Sequence, residues 1–416
     1  MALIHILRPA TCSVARISRR CLSTTPARFN EKALLEEEEA PVFSEDPDVD
    51  LRELNAVEKS FGNSEIRDRV RRLLREFRAP VQYAMAYGSG VFSQGKGTSS
   101  KPMIDLILGV SHTQHWHSLN LRQHRSHYSF LGSLGSGAVS YVQDNLGAGV
   151  YFNPYVDIQG TMVKYGVVNI DTLCRDLSEW DTLYLAGRLH KPCMILREPQ
   201  QVSHSHRSNL LAAVRVALLL LPKSFTERQL YMTIAGISYL GDPRMSTFTE
   251  NPHKVANIVD NNLTNFRLLY SHIIEQLPNL TFRHQNGWDA EPADTHLVQD
   301  MDPVRRGNMV CRLPKAFREH LYFQYQRKFQ IPNLEFRKMV GLNEEAEMRH
   351  KKKGGEFEQR IGADVDNIRK EVATVIKRTV KWPSTTQSLK GVLTAGPVKS
   401  LQYLGEKMAK FRRSAK

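Results

Sequence analysis

An apolar run ending in Tyr87-Gly88-Ser89-Gly90, followed after a polar loop by Met103-Ile104-Asp105-Leu106-Ile107-Leu108, constrains this chain more than any other stretch. Residues 81–87 read as one strand and 104–110 as a second, with a tight turn at 88–90 and a Gly/Ser-rich loop at 93–101 between them. The second strand carries one carboxylate at its start. A charge entering an apolar strand is costly unless something cationic meets it. The glycines let backbone amides approach an anion, the Ser89 hydroxyl can donate to it, and Asp105 can hold a magnesium ion that bridges phosphates. Gly88, Ser89 and Gly90 are therefore assigned to a triphosphate, and Asp105 to magnesium.

Nucleotidyltransferases hold a triphosphate in this way, although most Gly-Ser-Gly turns only reverse the chain. Such enzymes usually carry two carboxylates, two residues apart, on the second strand. Here the flanking positions are Met103 and Ile107. Asp157 is a candidate for the missing carboxylate, but it lies near a hairpin and reads equally as a turn residue. Lys164 sits in a later strand; if it faces inward, it meets the phosphate site.

The chain has 416 residues, enough for two domains with appendages, and 41% hydrophobic content suits a globular protein. Its net charge of +14 is concentrated at the ends. Residues 1–30 hold five Arg and no acid, and residues 351–416 hold 16 Lys+Arg against 6 Asp+Glu, leaving 36 basic and 37 acidic residues between. An enzyme acting on nucleic acid is expected to carry a basic stripe on its folded body. Basic termini fit targeting and contact with an anionic membrane better, so no nucleic-acid partner is expected. Residues 1–30 read as a mitochondrial presequence, with Arg8, Arg16, Arg19, Arg20 and Arg28 among Ser, Thr and apolar residues. An acidic linker follows, and residues 1–50 are excluded from the fold. Five cysteines with no Cys-x-x-Cys pair indicate neither a zinc site nor a disulfide frame. The longest apolar stretch, near 210–221, is interrupted by Arg215 and falls short of the roughly 20 residues that span a bilayer.

Helical spacing marks residues 64–77, and strands at 148–155 and 162–170 pair around Gln159-Gly160. A helix is read over 170–188. The histidines between 112 and 127 match no zinc spacing and are read as part of an anion-facing surface. Residues 60–202 form one α/β (α+β) domain with a mixed sheet. Helical spacing dominates 203–345, where Thr226 and Gln229 form a capping box. A basic linker leads to residues 355–416. One apolar stripe there comprises Phe357, Ile361, Val365, Ile368, Val372, Val375, Ile376 and Val380. After Trp382-Pro383 a second runs from Val398 to Phe411, flanked by Lys and Arg. Apolar on one side and basic on the other suits a helix lying in an anionic interface.

Several blocks in order resemble the mitochondrial translocator assembly and maintenance family of phosphatidate cytidylyltransferases. They are Tyr87-Gly-Ser-Gly-Val-Phe92, Lys101-Pro-Met-Ile-Asp105, His117-Ser-Leu-Asn-Leu-Arg122, Gly147-Ala-Gly-Val-Tyr-Phe-Asn-Pro154, Lys164-Tyr-Gly-Val167, Leu185-Ala-Gly-Arg-Leu-His-Lys-Pro192, Gly241-Asp-Pro-Arg-Met245, Gln387-Ser-Leu-Lys-Gly391 and Thr394-Ala-Gly396. The resemblance covers about residues 60 to 405. It implies a nucleotidyltransferase domain, a winged-helix-like domain and a membrane-associating C-terminal segment. The implied enzyme is peripheral on the matrix side of the inner membrane and depends on magnesium. It would make CDP-diacylglycerol from CTP and phosphatidic acid for cardiolipin synthesis. With that acceptor, Lys164, Arg122, Arg188 and Lys191 are expected phosphate contacts, joined by His127 and Tyr128. Ser89, Asp105 and Lys164 form the expected catalytic set. A phosphate acceptor arrives already ionised, which explains how one carboxylate suffices. Two rivals stay open: a nucleotidyltransferase with another acceptor, and a non-catalytic factor that maintains the import machinery.

Overall fold

The computed structural model describes residues 46, 49–50, 61–92, 103–246, 253–283, 287–289, 295–340, 353–396 and 405. The expected presequence, the 93–101 loop and the second C-terminal stripe, Gly405 apart, lie outside them.

A mixed five-stranded sheet organises the first half, in the order β3-β4-β2-β1-β5. Its strands are β1 (Tyr83–Tyr87), β2 (Ile104–Val110), β3 (Val150–Ile158), β4 (Thr161–Asn169) and β5 (Met194–Arg197). β2 and β4 are parallel, and the other pairs are antiparallel. β3 and β4 are joined by Gln159 and Gly160, both at positive φ (51° and 72°). That is the two-residue turn whose twist matches the flanking strands. The Asp157 carboxylate accepts the Gly160 amide at 2.8 Å and is exposed. It serves the turn, as the turn reading of this residue expects.

The Ile170–Glu179 helix is shorter than its apolar spacing suggests, because Trp180 takes a left-handed conformation (φ 59°) and ends it. Asn169 caps its start. The Gln200–Leu220 helix is longer than the apolar run at 210–221. Its first half is polar but buried at Ser203, Ser205, His206 and Asn209. The Thr226–Gln229 capping box forms as expected at the start of the Glu227–Gly236 helix. A small second sheet, in the order β6-β8-β7, comprises β6 (Ser224–Thr226), β7 (Leu280–Phe282) and β8 (His296–Gln299).

The first C-terminal stripe is core. Phe357, Ile361, Ile368, Val372, Val375, Ile376 and Val380 are buried, whereas Val365, the stripe's remaining member, is exposed at the start of the long helix. The Val365–Ala395 helix continues through Pro383 and then inverts its character. Ser384, Gln387, Lys390 and Thr394 are buried, while Trp382, Leu389 and Val392 are 72%, 66% and 53% exposed. The Gln387 amide donates to Val150 O at 3.0 Å, and Lys390 donates to the carbonyls of Gln143 (3.1 Å) and Leu146 (2.5 Å). These bonds satisfy the end of the Gly135–Asn145 helix. Gly147 permits the docking, since a Cβ there would lie 2.9 Å from Gln387 Oε1. No helix among the described residues is long and apolar enough to cross a membrane.

Candidate active site

Register brings the turn, the aspartate and the lysine together. Tyr87 pairs with Asp105, and Asp105 with Lys164. In-register residues on neighbouring strands share a face, so the three side chains form a row. Lys164 Nζ lies 3.9 Å from Asp105 Oδ1. It also sits 4.7 Å from the centroid of the Phe152 ring on β3. Gly166 makes room for that ring, because a Cβ there would come within 2.6 Å of Phe152 Cε1.

Both turn glycines are sterically required. Gly88 has φ +80°, and an added Cβ would stand 3.0 Å from Asp105 Oδ2. A Cβ on Gly90 would meet the Met103 carbonyl oxygen at 2.5 Å. The Gly88 carbonyl accepts from the amides of Val91 (3.1 Å) and Phe92 (2.9 Å). The Ser89 and Gly90 amides have no partner among the described residues, and Ser89 is exposed. Two adjacent open amides beside a hydroxyl form an anion-binding concavity.

Arg188 belongs to the same face. Its guanidinium lies 5.0 Å from the Tyr87 ring centroid, 4.7 Å from that of Tyr184 and 5.8 Å from that of Phe152. It donates to the Tyr87 and Tyr184 hydroxyls at 3.0 Å each. Its Nε is buried with no hydrogen-bond partner among the described residues. Burial pulls the guanidinium pKa down, but Tyr87, Tyr184 and Asp105 outweigh it, and the net direction is up. Arg188 therefore stays a cation.

The segment carrying Arg188 is held from below by Asp176. One carboxylate oxygen accepts the Thr182 amide (3.0 Å) and hydroxyl (2.6 Å), and the other accepts the Leu185 (2.8 Å) and Ala186 (3.0 Å) amides. The last two open the Ala186–Leu189 helix. Asn209 Nδ2 binds Ala186 O at 3.1 Å, and its Oδ1 accepts from Trp180 Nε1 at 2.8 Å. Lys191 follows. It donates to the Gly187 carbonyl and to Ser238 Oγ, the latter at 3.0 Å. Burial, with Arg188 and Lys254 nearby, brings its pKa down to about 7.

Not every expected residue joins this face. Arg122 is exposed in the last turn of the Thr113–Gln123 helix, and no described contact links it to the cluster. His127 and Tyr128 are buried on the opposite side of the sheet. His127 Nδ1 is 2.9 Å from Tyr165 Oη, and Tyr128 Oη is 2.8 Å from His117 Nδ1. Tyr165 follows Lys164 on β4, so the two point to opposite faces. Asn120 ties that network together, donating to both tyrosine hydroxyls at 2.9 and 3.0 Å. The histidine-rich stretch is thus partly interior: His117 and His127 are buried, whereas His112 and His115 are exposed. Tyr87, Phe152, Tyr184 and Asp176 belong to the site or its support. Tyr87, Phe152 and Tyr184 fall within or next to the quoted sequence blocks, whereas Asp176 lies in the Ile170–Glu179 helix outside them.

The chain is similar to known proteins over most of its length. The family model described as "Phosphatidate cytidylyltransferase, mitochondrial" matches residues 70–410. A Danio rerio protein of that name is 37% identical over 348 residues, 82% of this chain and 94% of its own length. The Schizosaccharomyces pombe protein is 34% identical over 347 residues, covering 83% and 84% of the two chains. The Saccharomyces cerevisiae protein is 45% identical over 211 residues, 49% of this chain and 54% of its own.

Proposed function

Since the chain belongs to the mitochondrial phosphatidate cytidylyltransferase family, we propose that it transfers the cytidylyl group of CTP to phosphatidate, forming CDP-diacylglycerol and pyrophosphate. The observation that carries this reading is the row Tyr87–Asp105–Lys164 with the glycine turn following Tyr87 and Arg188 across it: open amides, one carboxylate and two cations together. That set suits a reaction between two anions.

A phosphatidate oxygen attacks the α-phosphorus of CTP, a new P–O bond forms, and the bond to the β-phosphate breaks. The acceptor is already ionised, so no strong general base is needed. The main obstacle is repulsion between phosphates, together with the charge that develops on pyrophosphate. Ser89 and the open amides hold triphosphate oxygens. Lys164 and Arg188 offset negative charge near the reacting phosphorus. Asp105 would hold magnesium, which when bound would neutralise phosphate charge. Magnesium commonly takes one or two protein carboxylates and completes its shell with phosphates and water. A lone aspartate beside an open turn fits that mode, and among the described residues no cluster of three or more His, Cys, Asp or Glu forms an all-protein cage. Pyrophosphate release that requires both CTP and phosphatidate-containing liposomes tests the reading. Equal release with phosphatidylcholine alone would point to another acceptor.

Lys191 gives this reading a pH signature. Its ammonium form attracts phosphate, and in the anion-free enzyme it loses its proton near pH 7. Arg188, Lys254, His190, Cys193, Ser238, Tyr239 and the Gly187 carbonyl are the groups around it. kcat/KM, which reports free-enzyme ionisations, is therefore expected to fall as pH rises above about 7. Lys191→Met should lower the plateau and remove this limb. A profile unchanged by the substitution would exclude the lysine.

The finer assignments follow the same premise. The protein would work on the matrix face of the inner membrane and supply cardiolipin synthesis. Residues 60–202 would be the nucleotidyltransferase domain, and 203–345 a winged-helix-like domain. Membrane contact would run from Trp382 into the basic end of the chain. The exposed Trp382, Leu389 and Val392, on a helix whose polar face is buried, support that contact. Burying one such side chain is worth about 1.5–3 kcal/mol, so Leu389→Glu should weaken binding to anionic liposomes by roughly tenfold or more. The thermal midpoint should hold. Flotation that matches wild type would remove this face from the contact.

A further inference from the structure

We propose that Lys191 and Lys254, which meet on the ring of Tyr239, form a second phosphate site, distinct from the glycine turn, that takes a terminal phosphate dianion. It rests on the cytidylyl-transfer reading only for which molecule bears that phosphate. Lys191 Nζ and Lys254 Nζ approach the same ring, 5.1 and 5.5 Å from the Tyr239 centroid. Two ammonium groups on long, flexible stems would gain by separating, because like charges repel and lysine rotamers are many. Their convergence on one aromatic surface suits a shared anion.

The surroundings hold the cluster in position. Ser238, one residue before the ring, accepts from Lys191 at 3.0 Å. The seam beneath is closed, since a Cβ on Gly187 would stand 2.4 Å from Ser238 Cβ. Arg244 follows in the Gly241-Asp-Pro-Arg turn. Asp242 holds its guanidinium on two sides, with Nε at 2.9 Å from one carboxylate oxygen and Nη2 at 2.5 Å from the other. That turn is wedged against the C-terminal helix, where a Cβ on Gly241 would meet the Lys377 carbonyl oxygen at 2.4 Å. The field of Arg244 reaches Arg188, and Arg188 and Lys254 both act on Lys191.

The reaction brings two phosphates of the required chemistry: the phosphomonoester of the acceptor lipid, and the terminal phosphate of the nucleotide, which leaves in pyrophosphate. Both are multiply charged, with several acceptor oxygens for ammonium and guanidinium donors. Arg188 donates to the Tyr87 hydroxyl on the Asp105 face and also acts on Lys191, so it lies near both sites.

Lys254 is half-buried and offers the cleanest variant. In the full-length enzyme, Lys254→Met is compared with Lys254→Arg, which keeps the charge. The assays are KM for dioctanoyl phosphatidate at saturating CTP, KM for CTP at saturating phosphatidate, and inhibition by pyrophosphate. Lys254→Met is expected to weaken one phosphate-bearing ligand about tenfold or more, and Lys254→Arg to recover most of it. A rise confined to phosphatidate assigns the site to the lipid headgroup. A rise in CTP KM and in the pyrophosphate inhibition constant assigns it to the nucleotide end. All three constants within about twofold of wild type, well inside the loss of one charge-assisted bond, would overturn the site. Calorimetric binding of pyrophosphate to wild type and Lys254→Met reads the site without turnover, so failure of the transfer reading would be separately visible.

Discussion

Asp105→Asn is expected to lower turnover by roughly a thousandfold at saturating magnesium, because a bound metal contributes several kcal/mol to transition-state charge stabilisation. The substitution is nearly isosteric, and Gly88 already leaves only enough room for this side chain, with an added Cβ 3.0 Å from its Oδ2. The amide fits but is a poor magnesium ligand. Lys164, 3.9 Å away, loses a partly exposed ion pair worth about 0–1 kcal/mol. The thermal midpoint should therefore move by no more than a few degrees. Steady-state kinetics beside a thermal melt separate the two effects. Near-wild-type turnover would take the metal away from Asp105.

Arg188→Lys is expected to reduce kcat/KM about a hundredfold although the charge is kept, because a lysine cannot reproduce a planar fork with several donors. Arg188 bridges the hydroxyls of Tyr87 and Tyr184 at 3.0 Å each and keeps a buried Nε with no hydrogen-bond partner among the described residues. A lysine ammonium could reach at most part of that geometry. Each lost hydroxyl bond would cost about 1 kcal/mol of stability, a modest decrease in melting temperature next to the kinetic loss. If Arg188→Lys and wild type had equal kcat/KM, the fork would have no role beyond its charge.

The parts of this site legible in the sequence share one property: their signal is local. β2 carries its carboxylate where the apolar run predicts it, and the Gln159-Gly160 hairpin and Thr226–Gln229 capping box depend on residues a few positions apart. What could not be read depends on register and topology. His127 and Tyr128 lie close in sequence to a basic stretch, yet they turn to the far side of the sheet because Tyr165 and Lys164 alternate along β4. The helix expected through residue 188 stops at Trp180, and the segment beyond it is rebuilt around the buried carboxylate of Asp176, which hydrophobic spacing does not register. The C-terminal segment reads as two apolar stripes on either side of Trp382-Pro383. Its first part is core, and the face it leaves exposed beyond Trp382 appears only once Gln387 and Lys390 are seen docked on the body.

Label transfer tests the central claim most directly. Purified protein with magnesium and phosphatidate liposomes would receive CTP labelled at the α-phosphorus in one reaction and at the γ-phosphorus in another. Transfer of the cytidylyl group predicts α-label in the lipid fraction as CDP-diacylglycerol and γ-label only in released pyrophosphate. No label in the lipid, or γ-label there, would contradict it.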